Sequence, residues 1–311
     1  MTNYFRRARV YVVGKQVMPQ ADVQRFLDDE GAVWITDTDN PAHRIPELAG
    51  RICYMSFGEK QGRKENAPYL ANIIEVGHGS VLEHSVISLL FTGISRSLTH
   101  ELVRHRAGFG YSQLSQRYVD ETEANFVVPP AIQGDTALEG MLKDLCEQSL
   151  KVYGALTDRL AERMAAPQAL VDFAVKEGAL VEQPGGKFFM PDGDGGGKTL
   201  AEWQRLAGSD EATQKQLKKL TIRARRKSAR EAARAVLPNA TETKIFVTGN
   251  ARAWRHFIEM RGDTHAEAEI RALACDVCRV LQKEAPNLFG DYVIDRMPDG
   301  SERTRTIHRK V

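Results

Sequence analysis

What this sequence is short of narrows it first. It has four cysteines in 311 residues: Cys53, Cys146, Cys275 and Cys278. That is no disulfide framework of the kind that staples small secreted domains. Long apolar runs are missing too. The stretch Val86–Phe91 is far short of the ~18 residues that a membrane helix needs. Arg6 and Arg7 are followed only by the brief apolar run Val10–Val13, which does not read as a secretory signal. The expected compartment is the cytoplasm, with no membrane partner. Charge of one sign is not in excess, since the net charge is +2. Bulk charge therefore gives no case for nucleic acid as a partner.

Several familiar motifs are also lacking. No GxGxxG follows a strand, and there is no GxSxG elbow. Gly197-Lys198-Thr199 ends like a phosphate loop, but the first glycine would have to be residue 192, which is Asp. No HExxH or HxxEH occurs, and His100 and His105, five apart, do not share a helix face, so no metal is expected. Cys275 and Cys278 form a lone CxxC. Two small thiols on a packed helix face explain it more simply than zinc or redox chemistry.

What is present reads as one α+β domain. Hydrophobic residues make up 42% and charged residues 27%, as in an ordinary globular protein. Strands are expected at Arg9–Gly14, Ser85–Thr92 and Lys244–Thr248. Helices are expected at 66–76, at 95–106 with Ser95 as N-cap, at 136–165, at 214–236 and over much of 253–284. The glycine-rich stretch within 166–220 reads as a surface insertion, and 297–311 as a flexible basic tail.

Three groups of residues could carry chemistry. Arg104-His105-Arg106 ends a helix, where basic residues can simply complement the dipole. It is followed, however, by Ser112-Gln113-Leu114-Ser115-Gln116-Arg117-Tyr118, a set of donors suited to phosphate and to the edge of a planar heterocycle. Upstream lies His78-Gly79-Ser80-Val81-Leu82-Glu83-His84. Downstream lie Asn250, Arg252, His256, Arg261 and His265. Helical spacing puts Arg252, His256 and Glu259 on one side, and Arg261 and His265 on a common face. Arg234 closes the basic helix.

In this order the groups resemble the flavin-dependent thymidylate synthases, the ThyX family. The carriers are RHR with SQLSQRY at 104–118, GHGSVLEH at 77–84, ARAVLPNATET at 233–243 and VTGNARAWRHFIEMRGDTHAEAEIR at 247–271. Eight residues, Ala107–Leu114, separate Arg106 from Ser115, one more than is usual in that family's signature. The resemblance implies a ThyX-like fold, a central and mainly antiparallel sheet flanked by helices. It also implies reductive methylation of dUMP to dTMP, with 5,10-methylenetetrahydrofolate as carbon source, NADPH as reductant and FAD as hydride carrier. A homotetramer with active sites shared between subunits would follow.

Carried over by position, His78, Ser80, Glu83, Arg104, His105, Arg106, Asn250, Arg252 and His256 would contact FAD, with His265 shaping the flavin and folate region. Glu101, Gln113, Ser115, Gln116, Arg117, Arg234 and Arg261 would surround dUMP. Arg261 would stabilise charge developing on the pyrimidine. Ser115, with no adjacent base, would position the ring rather than attack it. Two other readings stay open: a related flavoenzyme for a different pyrimidine nucleotide, and a nucleic-acid-binding protein built on the basic helix at 215–234.

Overall fold

The computed structural model describes residues 2–190 and 196–309. The chain forms two compact units, each discontinuous in sequence. The larger holds residues 3–114, 125–136 and 239–311, and the smaller holds 115–124 and 137–238.

The larger unit begins with strands β1 (Tyr4–Phe5) and β2 (Arg9–Lys15) and helices α1 (Gln20–Asp29), α2 (Pro41–Tyr54), α3 (Asn66–Glu75) and α4 (Gly79–Leu82). Strand β3 (Val86–Ser95) runs straight into helix α5 (Arg96–Leu102), and β4 (Phe109–Gln113) and β5 (Phe126–Val127) follow. The smaller unit contributes α6 (Thr136–Arg163), α7 (Pro167–Lys176), the hairpin β6 (Val181–Gln183) and β7 (Lys187–Phe189), α8 (Leu200–Ser209) and α9 (Glu211–Ala233). Back in the larger unit come β8 (Glu242–Asn250), α10 (Ala251–Arg261), α11 (Ala268–Glu284), α12 (Pro286–Phe289), β9 (Val293–Arg296) and β10 (Glu302–Arg305).

The main sheet has the order β2-β3-β8-β4, with every neighbouring pair antiparallel. Along β3 burial alternates, so Ile87, Leu89 and Phe91 enter the core while Ser88 and Leu90 stay half-buried. Helices α10 and α11 bring Trp254, Phe257, Ile258, Ile270, Leu273, Val277 and Leu281 to the same core. The β3 register slips between Phe91 and Ile94. Gly93 sits there at φ +66°, where a Cβ would lie 3.0 Å from the Arg7 carbonyl oxygen, so glycine is required. Ser95 caps α5 as expected, its Oγ accepting from the Leu98 amide at 3.0 Å.

Three regions differ from the sequence reading. The glycine-flanked stretch after Arg106 is not all loop: Phe109–Gln113 forms edge strand β4, paired with β8. Helix α5 ends at Leu102, four residues early, which places Arg104–Arg106 in the turn before that strand. The stretch expected to be a flexible tail carries β10, which forms a hairpin with β9 around Asp299-Gly300. Thr304 on it is buried; its amide donates to the Gly262 carbonyl at 2.8 Å and its hydroxyl to that of Ile258 at 3.0 Å.

The 166–220 stretch belongs to a longer segment of the smaller unit and has a core of its own, with Leu170, Val171, Leu180, Phe188, Trp203 and Leu217. Part of the glycine-rich run, 191–195, lies outside the described residues. Cys275 and Cys278 are buried on α11, and burial pushes both thiols up to about 12. Among the described residues no helix is long and apolar enough to cross a membrane, and no cluster of His, Cys, Asp or Glu is placed to hold a metal ion.

Candidate active site

In the larger unit, the first turn of α10 opens onto a cleft of about 600 Å³. Four of the expected cofactor ligands line it together: Glu83, Asn250, Arg252 and His256. The helix explains the set. Arg252, His256 and Met260 fall four apart and are exposed, while Trp254, Phe257 and Ile258 face the core. Asn250 is the N-cap, its side-chain oxygen accepting from the Ala253 amide at 2.8 Å. Arg252 donates to the Glu83 carboxylate at 2.7 Å.

Gly108 forms part of the wall with φ +74°. A Cβ there would approach Asn250 Nδ2 to 2.7 Å and the Ala253 Cβ to 2.8 Å. The turn after Arg106 can close on α10 only because this residue is glycine.

Beside the cleft, His105 meets Arg261 and Glu101. Arg261 Nε donates to His105 Nε2 at 2.9 Å, and Arg261 Nη1 to Glu101 Oε2 at 2.6 Å. The His105 ring packs edge-on against His256, Phe257 and Phe109. Burial above all, then the charges of Arg261 and His256, pushes its pKa down to about 4. The Tyr111 hydroxyl donates to the His105 carbonyl at 2.6 Å and lies 3.1 Å from that of Leu102. The Leu102 carbonyl also accepts from the His105 amide, so the hydroxyl ties the end of α5 to the turn that follows it. Sequence reasoning passed over Tyr111; the alternation Phe109, Tyr111, Gln113 was the available signal.

Other expected ligands stand elsewhere. Arg104 and Arg106 are exposed on the turn, and His78 and Ser80 are exposed at and within α4. Gln113 Nε2 donates to Thr99 Oγ1 at 3.1 Å, inside the fold. His265 is not on a face with Arg261, because α10 stops at Arg261. It lies on the link to α11, its side chain 95% exposed, with Nδ1 2.6 Å from Asp263.

In the smaller unit, Ser115, Gln116 and Arg117 form a turn in which Ser115 Oγ accepts from the Arg117 amide at 3.4 Å. Gln116 is buried, and its Nε2 has no hydrogen-bond partner among the described residues. Arg117 pairs with Glu231 at 3.2 Å. Arg117 also lines a basic cleft of about 640 Å³ with Lys176, Arg223, Arg226, Lys227 and Arg230. Arg234 caps α9 and is not among the lining residues.

The family model for the thymidylate synthase complementing protein matches residues 35–287. The chain belongs to that family. Its relatives include proteins named flavin-dependent thymidylate synthase. The one from Mycobacterium sp. (strain JLS) is 43% identical over 274 residues, covering 88% of each chain. The one from Mycolicibacterium gilvum (strain PYR-GCK) is 43% identical over 270 residues, covering 86% of each. The one from Mycobacterium tuberculosis (strain ATCC 25177 / H37Ra) is 41% identical over 280 residues, covering 89% of this chain and 90% of the relative. All the residue groups of the family resemblance between 77 and 271 fall inside the matched segment of the thymidylate synthase complementing protein family.

Proposed function

We propose that this protein is a flavin-dependent thymidylate synthase, which converts dUMP to dTMP with 5,10-methylenetetrahydrofolate and NADPH. The observation that carries this reading is the cleft at the head of α10, where Glu83, Asn250, Arg252 and His256 converge from segments far apart in sequence. The names of its relatives agree with it.

The residues fit a flavin nucleotide. Arg252, a guanidinium at the N-terminal end of α10, suits a phosphate. Ala107, Ala253 and Met260 offer an apolar wall to a ring, and Gly108 lets the backbone approach it closely. His78, Ser80, Arg104, His105 and Arg106 complete the proposed set, and His265 would have to swing from its exposed position to join them. Bound FAD supplies hydride chemistry that no side chain offers.

The protein's part is placement and charge. Glu101, Gln113, Ser115, Gln116, Arg117, Arg234 and Arg261 are the proposed dUMP ligands. The unsatisfied Gln116 Nε2 supports this assignment, since an unpaired buried donor costs about 1–3 kcal/mol. Arg261 is the proposed stabiliser of negative charge on the pyrimidine. Ser115 positions the ring. A homotetramer with shared sites is supported by the seam Leu138, Met141, Leu145, Val152 and Leu156, apolar and exposed along α6.

The test is the absorption spectrum of the purified protein, with and without dUMP, followed by turnover with methylenetetrahydrofolate and NADPH. Flavin bands perturbed by dUMP are expected. A colourless protein that cannot take up FAD overturns the reading.

A further inference from the structure

We propose that Arg261 is a positioning residue for His105, fixing its imidazole as the tautomer protonated at Nδ1, so that His105 serves the site as a neutral donor. The argument starts from what an arginine can do. A guanidinium has donors only. Its Nε–H points at His105 Nε2 from 2.9 Å, so Nε2 must hold a lone pair. In a neutral ring the proton then sits on Nδ1. Among the described residues Nδ1 has no hydrogen-bond partner, which leaves its N–H for a ligand.

Arg261 is itself anchored. Its Nη1 is 2.6 Å from Glu101 Oε2, and its Nη2 is 3.5 Å from the Glu101 carbonyl. The backbone of His105 is held separately by the Tyr111 hydroxyl on β4. The imidazole is therefore gripped from α10, while its turn is gripped from β4.

The charged and titratable groups around the ring agree with a neutral state. Arg261 and His256 face it from α10, Glu101 stands beyond Arg261 on α5, and Arg104 and Arg106 flank it on its own turn. Protonating Nε2 would set two N–H donors against each other and break the bond to Arg261. Burial and the Arg261 charge keep the ring neutral down to about pH 4. A fixed neutral donor orients a carbonyl or ring nitrogen of a ligand without adding a further cation.

This inference rests on the flavoenzyme reading only for what the donor serves; the tautomer stands on geometry alone. The test is side-chain NMR of the full-length protein labelled with 15N-histidine, from pH 5 to pH 8, with Flavin added in a parallel sample. His105→Gln identifies the signal. The expected result is a protonated Nδ1 and an unprotonated Nε2 that do not move with pH. In Arg261→Met the two nitrogens should approach averaged shifts and titrate within that range, and flavin affinity should fall roughly tenfold, the effect of about one hydrogen bond. Arg261→Lys, still able to donate to Nε2, should restore the tautomer. Should Arg261→Met not fold, Glu101→Gln loosens the same anchor and should shift the signals in the same direction. A wild-type His105 protonated at Nε2, one that titrates near 6.5, or one indifferent to loss of Arg261 or of its anchor overturns the proposal. A fixed tautomer in a protein that takes up no flavin keeps the clamp and removes the flavoenzyme reading instead.

Discussion

Trp254 in the larger unit and Trp203 in the smaller are used in the same way, with different consequences. Each buries its indole and donates its Nε1–H to a strand carbonyl, Trp254 to Ile87 at 3.1 Å and Trp203 to Phe188 at 2.9 Å. Around Trp254 stand Phe91, Phe109 and Phe257, edge-on, between a four-stranded sheet and two helices. Around Trp203 stand a few side chains from α7, α8, α9 and one hairpin. The first core supports the cleft directly, because α10 carries Trp254 inward and Arg252 and His256 outward. The second supports a segment that read, in sequence, as a glycine-rich surface insertion.

The sharpest way to break this comparison is to truncate both indoles. Trp254→Ala should cost about 3–5 kcal/mol and abolish flavin uptake together with the thermal transition of the larger core. Trp203→Ala should destabilise its own unit, yet leave the flavin affinity of folded molecules unchanged, because none of the proposed flavin ligands packs there. Calorimetry with flavin titration separates the two; equal loss of flavin affinity would erase the distinction.

A second test concerns the back of α10. Arg255 is buried and holds Asp291 through two hydrogen bonds, at 2.6 and 2.8 Å. Burial by itself would push the Asp291 carboxyl up, but the hydrogen bonds and charge of Arg255 hold it below its ordinary value. A depressed carboxylate stabilises the fold above its unfolded pKa, and that stability is lost as pH falls through the folded one. The larger unit should therefore lose stability on acidification below about pH 4. Asp291→Asn should cost roughly 3 kcal/mol at neutral pH and flatten that acid dependence, as read by urea melts from pH 3 to pH 7.

Smaller effects belong to the wall of the cleft and to the surface. Gly108→Ala forces a Cβ into Asn250 and Ala253 at a positive φ, and should cost about 1–2 kcal/mol with a matching loss of flavin affinity. Measured flavin affinity equal to wild type would show that the turn does not close the cleft. Glu231→Gln breaks an ion pair whose side chains are 39% and 46% exposed, and should change the melting free energy by less than about 1 kcal/mol.

The same contrast explains what could be read in advance. Long periodic stretches such as β3, β8 and α9 were legible because burial repeats in register with their geometry. The candidate chemical groups could be picked out because they lie in short contiguous runs. Strand β4 was hidden by Gly108 and Gly110, which read as loop, and only its pairing with β8 makes it a strand. The β9–β10 hairpin was masked by its arginines, three of them in Arg303–Arg309, although Asp299-Gly300 marked the turn. The core around Trp203 was hidden because its apolar residues are scattered through polar and glycine-rich sequence. The contact between His105 and Arg261 spans 156 positions, and no local pattern announces it.

Both central strands of the sheet pass into helices with no loop between: Ser95 ends β3 and caps α5, and Asn250 ends β8 and caps α10. One residue gained or lost at either joint would turn the helix behind it by about 100°. Gained inside the strand, it would exchange that strand's two faces. Descendants of this sequence can therefore change length in exposed turns such as 184–186, but at these two joints they can change only letter by letter.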